Sequence, residues 1–221
     1  MGRPYVIVTA AMTVDGRLAD SEGVWRPLCE REARRFSELL EWADVVVIGS
    51  RAVKDSNISF APTHAAKRAP IKAILDGRLS LSPDLRVFLS GPPTIVFAYK
   101  KWAEEQKLEA LRERGVLVEL LDEYPFAAST LLEILSRKYK VERVLVAGGG
   151  ETNWTFLSQR AFDDYVVTIS PQLLGAGYAP TGRLGLRFPG LLLQLKEVRL
   201  CACGQEVILR YKPLTADAKS L

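Results

Sequence analysis

Short runs of almost wholly apolar residues alternate along this chain with longer stretches in which apolar positions recur every three or four residues. Tyr5 to Ala10 (YVIVTA) and Val45 to Ile48 (VVVI) lack the polar alternation of a half-exposed strand, so both are expected to be covered on two faces. Ile71 to Leu75, Thr94 to Ala98, Val116 to Leu121 and Val144 to Ala147 read as further strands. Between them, Ala33, Phe36 and Leu40 place one apolar stripe on a helix over Cys29 to Trp42. Lys101 to Arg114 reads as a charged amphipathic helix closed by Gly115. Thr130 and Glu133 have the spacing of a capping box ahead of another helix. Such β-α alternation, running to about Phe162, predicts parallel strands with helices on both faces. Beyond it, Tyr165 to Ser170, Leu191 to Leu200 and Gln205 to Lys212 read as strands, the last two turned into an antiparallel hairpin by Cys203-Gly204. Pro171 to Pro189 reads as a long loop. No repeat or linker divides the chain, so residues 1–212 are expected to form a single domain and 213–221 a flexible tail.

Composition narrows the chemistry. The 221 residues are 48% hydrophobic, enough for a substantial core. Three cysteines and one histidine exclude a disulfide scaffold and a histidine-rich metal centre. Cys201 and Cys203 have no further Cys or His near them in sequence, so they read as ordinary strand-turn cysteines and no metal site is expected. His64 reads as a surface-loop residue. The net charge of +4 comes from interleaved signs, which fits solvated helix faces and an anionic small molecule better than nucleic acid. No stretch approaches the roughly 18 apolar residues needed to span a bilayer. The N-terminus runs directly into the first strand, so neither a membrane nor a signal peptide is expected, and the expected location is cytoplasmic.

Candidate chemistry gathers after the strands. In Val144-Leu145-Val146-Ala147-Gly148-Gly149-Gly150-Glu151-Thr152, a strand meets three glycines and then a helix beginning near Thr152. Missing Cβ atoms let a phosphate approach the backbone, and a helix N-terminus favours an anion. This is neither a Rossmann fingerprint nor a P-loop, and a tight turn would have the same composition. Asp15-Gly16, Gly49-Ser50-Arg51 with Asp55 beyond it, and Asp76-Gly77-Arg78 also follow strands. In parallel sheets ligands bind at that edge, so these turns count together.

The chain resembles the riboflavin-biosynthesis reductases: the stand-alone archaeal and fungal diaminopyrimidine-ribotide reductases and the C-terminal, RibD-type domain of the bacterial deaminase–reductase. The resemblance runs from Tyr5 to about Tyr211. It is carried by Met12 to Ala19, Gly49 to Asp55, Asp76 to Leu79, Gly148 to Trp154, Ile169 to Gly175 and Ala179-Pro180-Thr181. It implies a dihydrofolate-reductase-like α/β/α fold with a mostly parallel central sheet, NADPH as hydride donor, and a homodimer. The implied reaction reduces the ribosylamino group of a pyrimidine 5′-phosphate to ribitylamino. By matched position, Gly148, Gly149, Gly150 and Glu151 would approach the NADPH phosphates. Asp76, Gly77, Arg78 and Leu79 would line the adenosine side, and Asp55 and Phe126 would also line the cofactor. Thr13, Asp15 and Trp25 are the candidate substrate contacts. No residue is assigned as catalytic.

Departures from the family pattern fall at Ala52, Ser56, Asn57 and Ala147, and at Glu41, which stands where a basic residue is usual. If Glu41 faced the substrate phosphate it would repel it. That leaves a related NADPH-dependent reductase with another C=N or C=O substrate as an alternative. A non-catalytic nucleotide-binding protein on the same scaffold is a second.

Overall fold

The computed structural model describes residues 2–24, 29–56, 69–182 and 190–214. Nine strands are present among the described residues: β1 Tyr5–Thr13, β2 Val45–Gly49, β3 Ile71–Leu75, β4 Thr94–Tyr99, β5 Leu117–Leu121, β6 Arg143–Val146, β7 Asp164–Ser170, β8 Leu193–Leu200 and β9 Val207–Pro213. The helices are α1 Glu30–Trp42, α2 Ser50–Ser56, α3 Arg86–Leu89, α4 Glu105–Glu113, α5 Ala128–Tyr139 and α6 Gly150–Ser158. All strands join one sheet in the order β5-β4-β3-β2-β6-β1-β7-β9-β8. From β5 to β7 the pairing is parallel; β9 is antiparallel to both β7 and β8.

Alternate residues of the central strands enter two cores. Val6, Val8, Val45, Val47, Val144 and Val146 pack with Leu131, Leu135 and Phe156 of α5 and α6. Ile7, Val46, Ile48 and Leu145 pack with Val53, Val87, Leu108 and Leu111, beside Phe36 and Leu40 of α1. The layers are therefore α/β/α, as the apolar runs predicted.

Several boundaries differ from the sequence pattern. β1 continues to Thr13, and α2 starts directly at Ser50, where a loop was expected. The span Lys101 to Arg114 is not one helix: a 3-10 turn covers Lys100–Trp102 and α4 begins at Glu105. Trp102 is held by edge contacts to Tyr99 and Tyr124, whereas Leu108 and Leu111 anchor α4 in the core, so the two parts answer to different neighbours. No capping box forms at Thr130. Helix α5 starts two residues earlier, where the Ala128 N–H donates to Gln159 Oε1 at 2.8 Å, and Glu133 instead pairs with Arg137 one turn on. Helix α6 likewise begins at Gly150 rather than Thr152. Pro213 closes β9, so the tail does not begin there; residues 215–221 lie outside the described residues, as do His64 and Asn57.

Two buried charges tie the sheet to its surroundings. Asp164 at the start of β7 accepts two bonds from Arg210 of β9, at 2.9 and 2.7 Å, and one from the Tyr5 hydroxyl of β1. Lys72 of β3 is 1% exposed and donates from Nζ to the Val87 and Ser90 carbonyls at the end of α3, where the Thr94 hydroxyl also donates to Val87. Burial pushes the Lys72 ammonium down to about 8. Its charge is then costlier in the folded than in the unfolded chain. That cost is full below pH 8 and is relieved as pH rises toward the unfolded value of about 10.4. Lys72→Met removes both charge-assisted bonds and leaves the buried Val87 carbonyl with only the Thr94 hydroxyl at 3.3 Å, so it is expected to lose about 1–3 kcal/mol in urea unfolding at pH 7. The difference between wild type and Lys72→Met should widen as pH rises from 8 to 10. A difference that narrows would contradict this account.

Candidate functional site

Because β1 to β7 run in one direction, their C-terminal ends form a single edge, and every candidate turn lies there. Strand β6 enters between β2 and β1, which brings the glycine turn to the middle of that edge. Two missing side chains make the arrangement possible. A Cβ on Gly49 would stand 2.5 Å from Thr152 Oγ1, and one on Gly148 would stand 2.3 Å from Thr152 Cβ. Thr152, 5% exposed, fills the space between the two strand ends and seats the first turn of α6 there.

The three glycines have different reasons. Gly150 is closed over by the chain: its Cβ would lie 2.5 Å from the Ala179 carbonyl oxygen. Gly182 in turn rests on the Glu151 backbone, where a Cβ would approach Cα at 2.9 Å. Gly149 alone of the three would meet nothing within 4 Å, and its φ of −69° is open to any residue. It is the N-cap of α6, so the free amides and positive end of that helix lie beside an unobstructed backbone. Glu151 is exposed in the same turn.

At β1, Thr13 and Asp15 are brought together but are already engaged. The Thr13 hydroxyl donates to Asp15 at 2.5 Å, and the Gly175 and Leu174 amides donate to Asp15 Oδ2 at 2.7 and 3.2 Å. These donors, Thr13 first, hold the Asp15 carboxyl below its ordinary range. Asp15 thus pins the turn after β7. Asp55 on α2 lies against Gly23, near Tyr178, whose ring also carries the Arg51 guanidinium at 5.9 Å. Trp25 lies outside the described residues.

At β3, the Asp76 carboxylate is buried and accepts from Ser80 Oγ at 2.8 Å and the Leu81 amide at 2.9 Å. Leu79 adopts φ +49° and turns its side chain into the core at 3% exposure, so only its backbone can face a ligand. Gly77 makes room for Tyr99, whose ring would meet a Cβ at 2.3 Å. Arg78 is exposed, 4.6 Å over the Trp102 ring. Phe126 stacks on Tyr99 at 4.3 Å, and Tyr124 and Trp102 complete an aromatic platform with Lys101 over both rings, at 4.8 and 4.2 Å. Sequence reading missed Tyr99, Lys101, Trp102 and Tyr124. Their signal was three aromatics just past two strands, but the platform depends on the pairing of β4 with β5.

Counting strands from β6 to β5 gives four spacings, or about 19 Å at ~4.8 Å each. The edge thus suits an elongated ligand with an anionic middle and a flat end near the platform. The buried side-chain atoms without a hydrogen-bond partner among the described residues are Arg17 Nε and Asn153 Oδ1, and both belong to segments of this edge.

The pattern of the RibD C-terminal domain matches residues 4–209. This chain belongs to that family. Riboflavin biosynthesis protein RibD of Aquifex aeolicus is 30% identical over 216 residues, covering 95% of this chain; the chain spans 58% of that longer relative. The 2,5-diamino-6-ribosylamino-4(3H)-pyrimidinone 5′-phosphate reductase of Methanothermobacter thermautotrophicus is 28% identical over 214 residues, covering 95% of this chain and 98% of the relative. A pyrimidine reductase-like protein of Corynebacterium diphtheriae superposes with TM-score 0.81 at 19% identity, covering 96% and 92% of the two chains. Dihydrofolate reductase of Enterococcus faecalis superposes with TM-score 0.51 at 17% identity, covering 96% and 97%. The RibD C-terminal domain here therefore has the dihydrofolate-reductase-like fold.

One departure from the family pattern changes meaning in three dimensions. Glu41 is exposed near the end of α1, beside Trp42, which contacts Tyr5 at the start of β1. It lies at the opposite edge of the sheet from the glycine turn, so it cannot repel a phosphate bound there. Ala147 packs toward the core shared with α1 to α4, and Ser56 donates to the Ala52 carbonyl within α2.

The glycines separate folding from binding. Gly148→Ala is expected to lose about 1–3 kcal/mol of stability through overpacking against Thr152. Gly149→Ala should stay within about 1 kcal/mol of wild type, the scale of an N-cap change. Equal losses in thermal unfolding would contradict the assignment of Gly149 as unobstructed.

Proposed function

We propose that this chain is an NADPH-dependent reductase of riboflavin biosynthesis that converts the ribosylamino group of a pyrimidine 5′-phosphate to ribitylamino. The observation that carries the proposal is the unobstructed Gly149 at the head of α6, at the centre of the parallel-strand edge, in a chain whose relatives include a protein named 2,5-diamino-6-ribosylamino-4(3H)-pyrimidinone 5′-phosphate reductase.

The residues fit the cofactor. The Gly149 and Gly150 backbone and the α6 N-terminus would hold its phosphates. Arg78 and Lys101 would meet the adenosine end and its 2′-phosphate, with Trp102, Tyr124 and Phe126 supplying flat apolar surface. Asp76 and Leu79 build that turn from beneath, and Asp55 borders the β1 side. NADPH, when bound, supplies the hydride. Thr13 and Asp15 shape the β1 turn and fix the loop after β7, closing the substrate's side of the edge. Such chemistry depends chiefly on holding two partners in line and excluding water, which agrees with the scarcity of histidine. Among the described residues no general acid stands out, and water can deliver the proton.

The charge reversal at Glu41, which would have favoured another substrate, lies away from the site. The substrate assigned by the relatives is therefore the reading retained.

Titration with NADPH and NADH, followed by assay with the diaminopyrimidine ribotide, tests the proposal. NADPH binding and a ribitylamino product by mass are expected. Failure to bind either nucleotide would overturn it, and binding without turnover would favour another substrate or a non-catalytic role. Gly149→Asp should raise the NADPH dissociation constant about a hundredfold, since a favourable contact of about 1.5–3 kcal/mol gives way to repulsion.

The proposal includes a homodimer. Strand β8 is one of the two edges of the sheet and exposes Leu195, Val198 and Leu200, with Leu192 just before it. A second copy set symmetrically on β8 would cover them and end the edge. Light scattering should give twice the chain mass for wild type and a monomer for Val198→Lys. A wild-type monomer would remove the dimer and leave the reductase proposal standing.

A further inference from the structure

All three cysteines of the chain converge at one place. Cys29 ends the β1–α1 connection, and Cys201 and Cys203 lie in the β8–β9 turn. Although Cys29 and Cys201 are 172 residues apart, their sulfurs are 4.0 Å from each other. Glu206 joins them, and one ligand atom from each of these four residues lies within 4.8 Å of every other. No local spacing signals this cluster, because Cys29 is distant in the chain and a glutamate is not a distinctive ligand. Cys201 and Cys203 sit in the hairpin turn expected at Cys203-Gly204, but β8 stops at Leu200, so both belong to the turn rather than to the strand.

We propose that Cys29, Cys201, Cys203 and Glu206 form a structural site for zinc or a comparable thiophilic divalent cation. Three soft sulfurs and one carboxylate are a donor set that favours zinc over magnesium or calcium. Tetrahedral bonds of about 2.3 Å place zinc-bound sulfurs about 3.8 Å apart. The cluster is already near that spacing, so side-chain rotation of about an ångström would close it.

The surroundings suit a bound cation. The Cys201 amide donates to the Glu206 carbonyl at 2.8 Å, and the Gly204 amide donates to the Cys201 carbonyl at 2.8 Å, which fixes the turn carrying three of the ligands. Gly204 has φ +74°, a conformation costly for other residues. Glu206 is 1% exposed and Cys201 5%. Arg35 of α1 donates to Cys201 Sγ at 3.0 Å and to Glu206 Oε2 at 2.8 Å, and also pairs with Glu32. Three thiolates and a carboxylate around a dication leave a net negative charge, and the guanidinium offsets part of it. Its N–H to sulfur contact is the kind of outer bond that orients a metal-bound thiolate. Binding would release the thiol protons to solvent. The cation would join the β1–α1 connection and the head of α1 to the C-terminal hairpin. A disulfide between two of these sulfurs is the competing state.

The test is metal analysis of full-length protein purified under reducing conditions without chelator, then reconstituted with zinc. About one zinc per chain is expected. Cobalt(II) in its place should give the visible bands of a tetrahedral ion and near-ultraviolet thiolate charge transfer. Cys203→Ser and Cys29→Ser, checked for folding by circular dichroism, should each lose the cobalt spectrum. Chelation should lower the Tm of the wild type by about 5–10 °C from its value at a hundredfold excess of zinc over the dissociation constant. Substoichiometric zinc after reconstitution, with all three thiols titrating as free, would overturn the proposal. So would a disulfide between two of these cysteines that persists in protein purified under reducing conditions.

Discussion

The first turn of α6 can enter the sheet edge only where two strand ends carry no Cβ. Gly49 ends β2, Gly148 follows β6, and Thr152 occupies the space both leave. An alanine at either place would drive backbone and helix apart, because atoms closer than about 3 Å do not coexist in a packed interior. Much follows from that contact. It holds the α6 N-terminus at the middle of the edge and brings Glu151 against Gly182 and Gly150 against Ala179. It leaves Gly149 as the one residue of the three with open space before it. A glycine-rich turn thus combines two kinds of glycine, and geometry separates the packing ones from the one available to a ligand.

The same division runs along the whole edge. Parallel topology delivers a row of turns, but each must satisfy its own polar groups before it can present anything. Asp76 spends its carboxylate on Ser80 and Leu81; Asp15 spends its own on Thr13, Leu174 and Gly175. These side chains set the shape of the surface. Among the groups facing outward are the Gly149 backbone, Glu151, and Arg78 and Lys101 over their aromatic platform. Candidate residues chosen by position in a motif therefore include both builders and presenters, which sequence alone does not distinguish.

Most of the layer order was legible because buried parallel strands must be apolar on both faces, and Val45 to Ile48 or Val144 to Val146 have no other stable use. Helices α2 and α3 were not, being too short to show a period. The end of α5 that looked capped by Thr130 is served instead by Gln159, about thirty residues on, a partner no local pattern contains. Trp102 was assigned to a helix by its charged neighbours, yet the pull of Tyr99 and Tyr124 outweighs local helix preference. The α5 and Trp102 misses arise where a long-range contact overrules a local tendency.

Charge and thiol placement show the same rule acting on function. Counted along the chain, Glu41 looked like a lost phosphate contact, and Cys29 lies 172 residues from Cys201. A helix that follows a parallel strand runs back across the sheet, so α1 begins at the ligand edge and ends at the far one. Its last turn, with Glu41, is removed from the site, while its first residues, with Cys29 before them and Arg35 one turn in, meet the β8–β9 turn. Direction across the sheet, rather than distance in sequence, decides which departures from a family pattern bear on the substrate. By that measure, Glu41, at the far end of α1, does not argue against a phosphorylated ligand at this edge.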